Sequence, residues 1–193
     1  KNTNTLATQL LDQYVARDPV PTERRQQAHF FVIAAPVVPR TEMLLDAVHG
    51  TQWHTTFEQL KNAAMTPQVT GDGPDGGFAP SLHQAGNWSR RADGAAVTYG
   101  LTDDRRLERL VSESPRYIED VFELELTEDG TARLMTSRLS DEPSQAGGQR
   151  IFAVMIPVLV RQVMAVANAI SNHTAYLVPW MLRCAATGIA GLP

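Results

Sequence analysis

The stretch YIEDVFELELTEDGTARLMTSRL (residues 117–139) decides the fold. From Tyr117 to Thr127 apolar and polar side chains alternate. Phe122, Leu124 and Leu126 share one face of an extended chain, and Glu123, Glu125 and Thr127 share the other. Residues 132–139 supply a partner strand, and the turn between them sets the register. A two-residue loop at Asp129-Gly130 would set Leu126 against Arg133 and Leu124 against Met135. A three-residue loop at Glu128-Asp129-Gly130 sets Leu126 against Ala132, Leu124 against Leu134 and Glu125 against Arg133. The second matches apolar with apolar and pairs opposite charges, with Gly130 free to take a left-handed conformation. The predicted hairpin therefore has one dry face and one acidic face, and the acidic row is expected to be solvated.

Upstream, residues 88–91 and 95–101 flank Asp93-Gly94, a second hairpin signal. Thr102-Asp103-Asp104 suggests one short helical turn before Pro115. The Gly/Pro-rich segment 66–80 reads as a flexible loop, not as a linker between two cores. Residues 52–64 form a helix with Trp53, Phe57, Leu60 and Ala64 along one side. A shorter helix, 42–48, opens at Thr41 as N-cap with Glu42 in its first turn. Residues 28–35 are apolar at both parities, as in a central strand covered on both faces. A first helix ends near Ala16, with Leu6, Leu10, Leu11 and Tyr14 on one face, and Asp18-Pro19 stops it.

Downstream, 140–148 is a loop and a long helix follows from about Ile151 to His173. At about 100° per residue, Arg150, Arg161, Asn168 and Asn172 fall on one narrow stripe, together with Pro157. The remaining circumference is apolar and exceeds what a single sheet shelters. A transmembrane span is disfavoured, because Arg161 at its centre would cost about 2.5–3.5 kcal/mol. Residues 180–189 form a last strand, with Cys184 on its apolar face as a buried thiol. The expected fold is α+β: a mostly antiparallel sheet of about five or six strands with helices packed on one face, including the long apolar C-terminal helix, in a single domain over residues 1–193.

The composition narrows the function classes. The chain has 193 residues, 43% of them hydrophobic, with 17 basic and 21 acidic side chains, a net charge of −4 and one Cys. An acidic chain is a poor stand-alone binder of duplex DNA. A lone Cys184 excludes an internal disulfide and suits a reducing cytoplasm. The opening residues carry no signal-peptide pattern, and the start on Lys1 without Met leads to the expectation that the chain is cut from a longer one.

Little reactive chemistry is visible. His49 and His54 are five apart and do not share a helix face, and His29, His83 and His173 are scattered, so no metal site is assigned. The glycines of 71–77 lack the Lys-Ser/Thr ending of a phosphate loop. No catalytic or cofactor-binding residue is assigned. His173, Tyr176, Trp180 and Arg183 form a possible ligand pocket where the long helix turns into the last strand. Trp88, Arg90 and Arg91, at a hairpin tip, are possible nucleic-acid contacts, although the net charge favours reading Arg24-Arg25, Arg90-Arg91 and Arg105-Arg106 with Arg109 as solubility and ion-pair residues.

The strings Tyr14-Val15-Ala16-Arg17-Asp18-Pro19-Val20-Pro21 and Ala28-His29-Phe30-Phe31-Val32-Ile33-Ala34-Ala35-Pro36-Val37, followed by Glu42-Met43-Leu44-Leu45, resemble the region after the DNA-binding module in bacterial Schlafen-AlbA-type helix-turn-helix or "ATP-binding" proteins. Lys1-Asn2-Thr3 is similar to the end of that module, and Tyr176 to Trp180 running into Thr187-Gly188-Ile189-Ala190-Gly191 is similar to the closing strand. The resemblance implies an accessory domain of a transcriptional regulator, for dimerisation, sensing or docking, with the DNA-binding module upstream of Lys1. Its expected partners are a second copy or that module, with no membrane and no direct nucleic-acid contact. The alternative is a small-molecule-binding enzyme domain using the His173/Tyr176/Trp180/Arg183 corner.

Overall fold

A computed structural model describes residues 3–66, 82–108, 120–141 and 149–189. The loop 66–80 from Pro67 onward, Arg109, and residues 117–119 of the predicted hairpin lie outside the described residues. Helix α1 (Thr3–Ala16) leads through a 3-10 turn (Thr22–Arg24) to strand β1 (His29–Pro36), then to helices α2 (Leu45–Val48) and α3 (Trp53–Asn62). Strands β2 (Asn87–Arg91), β3 (Gly94–Tyr99), β4 (Phe122–Thr127) and β5 (Ala132–Thr136) follow, then helix α4 (Met155–Thr174) and strand β6 (Trp180–Thr187). The strands form one antiparallel sheet in the order β2-β3-β4-β5-β1-β6. The architecture is α+β.

The β4–β5 hairpin has the register that charge and apolar matching dictate. Leu126 faces Ala132, Leu124 faces Leu134 and Glu125 faces Arg133. Thr127 and Thr131 bracket the three-residue loop, and Gly130 sits at φ +91°. A Cβ there would also lie 2.7 Å from Met43 Sδ, in the turn before α2, so that side chain would have to shift in addition to the strain of the positive φ.

Strand β1 is buried along its whole length, and its two parities build two separate cores. Phe30, Val32 and Ala34 join Leu124, Leu126 and Leu134 beneath α3 and α4, where Phe57, Leu60, Val163, Val166 and Ile170 fill the layer. Phe31, Ile33 and Met135 face the other way, against Leu11 and Tyr14 of α1. The expectation of helices on one face is therefore corrected. A strand apolar at both parities needs cover on both sides, and α1 supplies the second.

That cover also overturns the expected wet acidic row. Glu123 and Glu125 are 0% exposed. They lie under α1, because the odd residues of β4 share a face with Phe31 and Ile33 of β1. Near the N-terminal side of α2, residues 41–44 form turns with Glu42 at φ +63°, so Thr41 does not cap a helix and α2 begins later, at Leu45.

The long C-terminal helix begins at Met155, not Ile151. Ile151 instead bridges to Ser140, and Pro157 falls in the first helical turn, where its missing N–H costs no hydrogen bond. The helix is two-sided and not apolar all round. Leu159, Gln162, Val163, Val166, Ala167 and Ile170 are buried, while Pro157, Arg161, Met164, Asn168 and Asn172 are exposed. Among the described residues no helix is long and apolar enough to cross a membrane. Cys184 is exposed, against the buried thiol expected. Its strand β6 lies at the end of the sheet, where among the described residues one flank has no neighbouring strand.

Candidate functional site

The corner between α4 and β6 holds two of its four predicted residues together. Tyr176, nearly fully buried, packs edge-on against Trp180 with ring centroids 5.6 Å apart. The Tyr176 hydroxyl accepts from Val38 N–H at 3.1 Å, and Trp180 Nε1 donates to Ser171 Oγ at 2.9 Å. Arg40 stacks over the Tyr176 ring at 5.5 Å. His173 turns away to Asp46 on α2, with Nε2 and Oδ2 2.9 Å apart. Arg183 has the opposite strand parity to Trp180 and Leu182 and so lies on the α1 side of the sheet. Its guanidinium donates to the Leu182 carbonyl at 2.9 Å. The four residues do not converge on one cavity.

The Trp88, Arg90 and Arg91 trio also divides. Trp88 is half-buried in an aromatic group with Trp53, His54 and Phe57, the His54 ring centroid 4.1 Å away. Arg90 shares that face, over Trp53 at 5.4 Å. Lys61, whose Nζ donates to the Ala85 carbonyl at 2.9 Å, stacks on Trp88 at 5.3 Å. Burial holds the Lys61 ammonium below the ordinary lysine range, with Glu58 opposing the shift. Arg91 projects to the other face, where its Nη2 is 3.5 Å from Glu123. The two arginines thus belong to different layers, and Arg91 is committed to a buried carboxylate.

That carboxylate is the centre of the most polar part of the interior. Arg105 grips Glu123 with two nitrogens, Nε to Oε1 at 2.8 Å and Nη2 to Oε2 at 2.7 Å. The Tyr14 hydroxyl donates to Oε2 at 3.2 Å. Beside it, Glu125 receives Arg133 at 3.2 Å and Arg17 at 3.4 Å. The guanidiniums of Arg105 and Arg133 lie 5.7 and 6.0 Å from the Tyr14 ring centroid. Arg105 also donates to the carbonyl of Arg17, just past the end of α1, where a cation suits the negative helix end. It does so from a strained left-handed backbone at φ +65° in the turn closed by the Leu101–Leu107 bridge. Burial, then the nearby Glu123 charge, pushes the Tyr14 phenol well above its ordinary value.

Every oxygen of these two carboxylates meets a cation or a hydroxyl. The arrangement therefore acts as a clamp joining β2, β4, β5 and the turn after β3 to α1. Its signal in the sequence was the Glu125–Arg133 pairing together with Tyr14 and Arg17, polar groups at and just past the end of α1. What pattern alone lacked was the placement of α1 over that face.

A second buried cluster follows α1. Asp18 Oδ1 accepts from Val20 N–H at 2.9 Å, and Oδ2 lies 2.7 Å from His29 Nδ1 and 3.2 Å from Arg25. His29 Nε2 has no hydrogen-bond partner among the described residues. No group of three or more His, Cys, Asp or Glu among the described residues is placed to hold a metal.

Comparison with protein-family models, with curated proteins and with solved structures finds no match.

Proposed function

We propose that this chain is an accessory domain that works by association, through dimerisation, sensing or docking, in a transcriptional regulator whose DNA-binding module lies outside it. The observation that carries the reading is the outward side of α4. Met164 is 54% exposed, Val154 just before the helix is 70% exposed, and Val158 is only half-buried. A helix closing a core ordinarily turns polar residues outward. Here apolar side chains interrupt the Arg161, Asn168 and Asn172 stripe, leaving surface that gains from a cover. The resemblance to Schlafen-AlbA-type proteins supplies the regulator and its DNA-binding module. The arginines of the Trp88 hairpin are engaged within the chain, which favours leaving DNA contact to that module.

Hydrogen exchange tests the reading. Amides of α4 should exchange more slowly in the polypeptide as its gene encodes it than in this chain diluted alone. Identical exchange in both, with no association of either, would overturn the proposal.

A further inference from the structure

The two edges of the sheet differ in how they resist pairing. Strand β2 at one end is five residues long and carries Arg90 and Arg91. Strand β6 at the other end runs eight residues, Trp180–Thr187, in unbroken register with β1, with no proline and one charge. Long, regular, apolar edges are templates for another strand, and proteins normally interrupt them.

The direction of the free groups follows from the ladder. Val37 N–H donates to the Pro179 carbonyl at 3.1 Å, so the odd residues of this segment point their backbone groups at β1. Trp180, Leu182, Cys184 and Ala186 therefore direct N–H and C=O outward. Among the described residues no strand pairs with that side. The Leu182 carbonyl accepts from the Arg183 guanidinium at 2.9 Å.

We infer that β6 pairs antiparallel with β6 of a second copy, about a two-fold axis at Cys184, to make one continuous sheet across the dimer. This rests on the association reading above and names its partner. The strand is self-complementary in size: Trp180, Met181, Leu182 and Arg183 are large, and Cys184, Ala185, Ala186 and Thr187 are small. Antiparallel self-pairing sets each large residue against a small one, whereas parallel pairing would stack Trp on Trp and Arg on Arg.

Charge and parity choose the register. Continuing the sheet with α4 on the same side in both copies requires opposed residues of like parity. Centring on Arg183 would oppose two guanidiniums, which is unfavourable. Centring on Cys184 sets Leu182 against Ala186, Met181 against Thr187 and Arg183 against Ala185. Leu182, Cys184 and Ala186 then form the hydrogen-bonded pairs, each exchanging two backbone bonds. Shifting further shortens the ladder. Arg183 leaves the Leu182 carbonyl as the partner strand arrives, so its side chain competes with dimerisation.

Sedimentation velocity on the purified chain, with a short bis-maleimide as cross-linker, tests this pairing. Wild type and Cys184→Ser should be dimers, and the reagent should link wild-type chains through their only cysteine. Cys184→Lys, at an exposed position, should be a monomer that still unfolds cooperatively, its melting temperature independent of concentration and lowered only by the lost dimer. Cys184→Pro, which removes only an outward N–H, should also be a monomer and serves if the lysine variant misfolds. Arg183→Ala should tighten the dimer several-fold. A wild-type monomer at the highest soluble concentration overturns the inference. So does a dimer that survives Cys184→Lys and resists the cross-linker, since another face then mediates it. A monomer whose α4 amides still gain protection in the gene-encoded polypeptide defeats the β6 dimer and leaves the association reading standing.

Discussion

Glu123→Gln removes one charge from the clamp and nearly no volume. The carboxylate is 0% exposed, and the side chains facing it, Arg105 and Arg91, are 12% and 9% exposed. An exposed ion pair contributes about 0–1 kcal/mol. Breaking a buried pair costs about 3–5 kcal/mol, because the surviving cation keeps its desolvation cost without its counter-ion. The two-point Arg105 grip and the Tyr14 hydrogen bond place Glu123 in the second class. The strained φ of Arg105 points the same way, since a left-handed non-glycine residue costs about 1–2 kcal/mol and persists only when its side chain returns more. Chemical denaturation should thus show a loss of about 3–5 kcal/mol. In a chain of this size the melting temperature should fall by roughly 6–20 °C. Arg105→Gln should cost less, because Arg91 remains near the carboxylate. The double variant should be more stable than the sum of the two losses allows, giving a coupling of about 0.5–3 kcal/mol. A loss below about 1 kcal/mol for Glu123→Gln, or strictly additive losses, would refute the idea that α1 is held by a buried ionic clamp.

Three further outcomes follow from the same structure. Because the Tyr14 phenol is raised above its unfolded value of about 10, the folded chain keeps a proton that the unfolded chain releases; stability holds below about pH 10 and falls as pH rises beyond it. Tyr14→Phe should flatten that alkaline loss in pH-dependent melting, while costing about 1.5–3 kcal/mol at neutral pH for the lost bond to Glu123. Gly130→Ala forces a Cβ into a left-handed turn and against Met43, and urea titration should show more than about 1 kcal/mol lost. Ile170→Ala should cost about 2–5 kcal/mol and Met164→Ala less than about 0.5 in the same titration, which checks the buried side of α4.

Much of the architecture was legible from local pattern. Alternation in residues 122–127, the charge of Arg133 and the glycine at 130 were enough for the β4–β5 register, since a slip would turn the leucines to the wrong face. The double-sided apolarity of residues 28–35 marked β1 as interior, and the Arg161, Asn168 and Asn172 stripe marked the outer side of α4. The site predictions fared differently. Tyr176 and Trp180 meet, but Arg183 and Arg91 point to the far layer because strand parity outranks nearness in sequence.

Local sequence determined which residues extend, which coil, and which neighbours pair across a tight turn, because those choices depend on backbone sterics and on a period of two or 3.6 residues. Only the tertiary structure decided that α1 crosses to the second face of the sheet. That one placement turned Glu123 and Glu125 from a solvated row into buried anions and enlisted Arg17, Arg91, Arg105 and Arg133, drawn from four separate segments, to neutralise them. Burial is a property of what lies above a residue, and no periodicity within a strand records it.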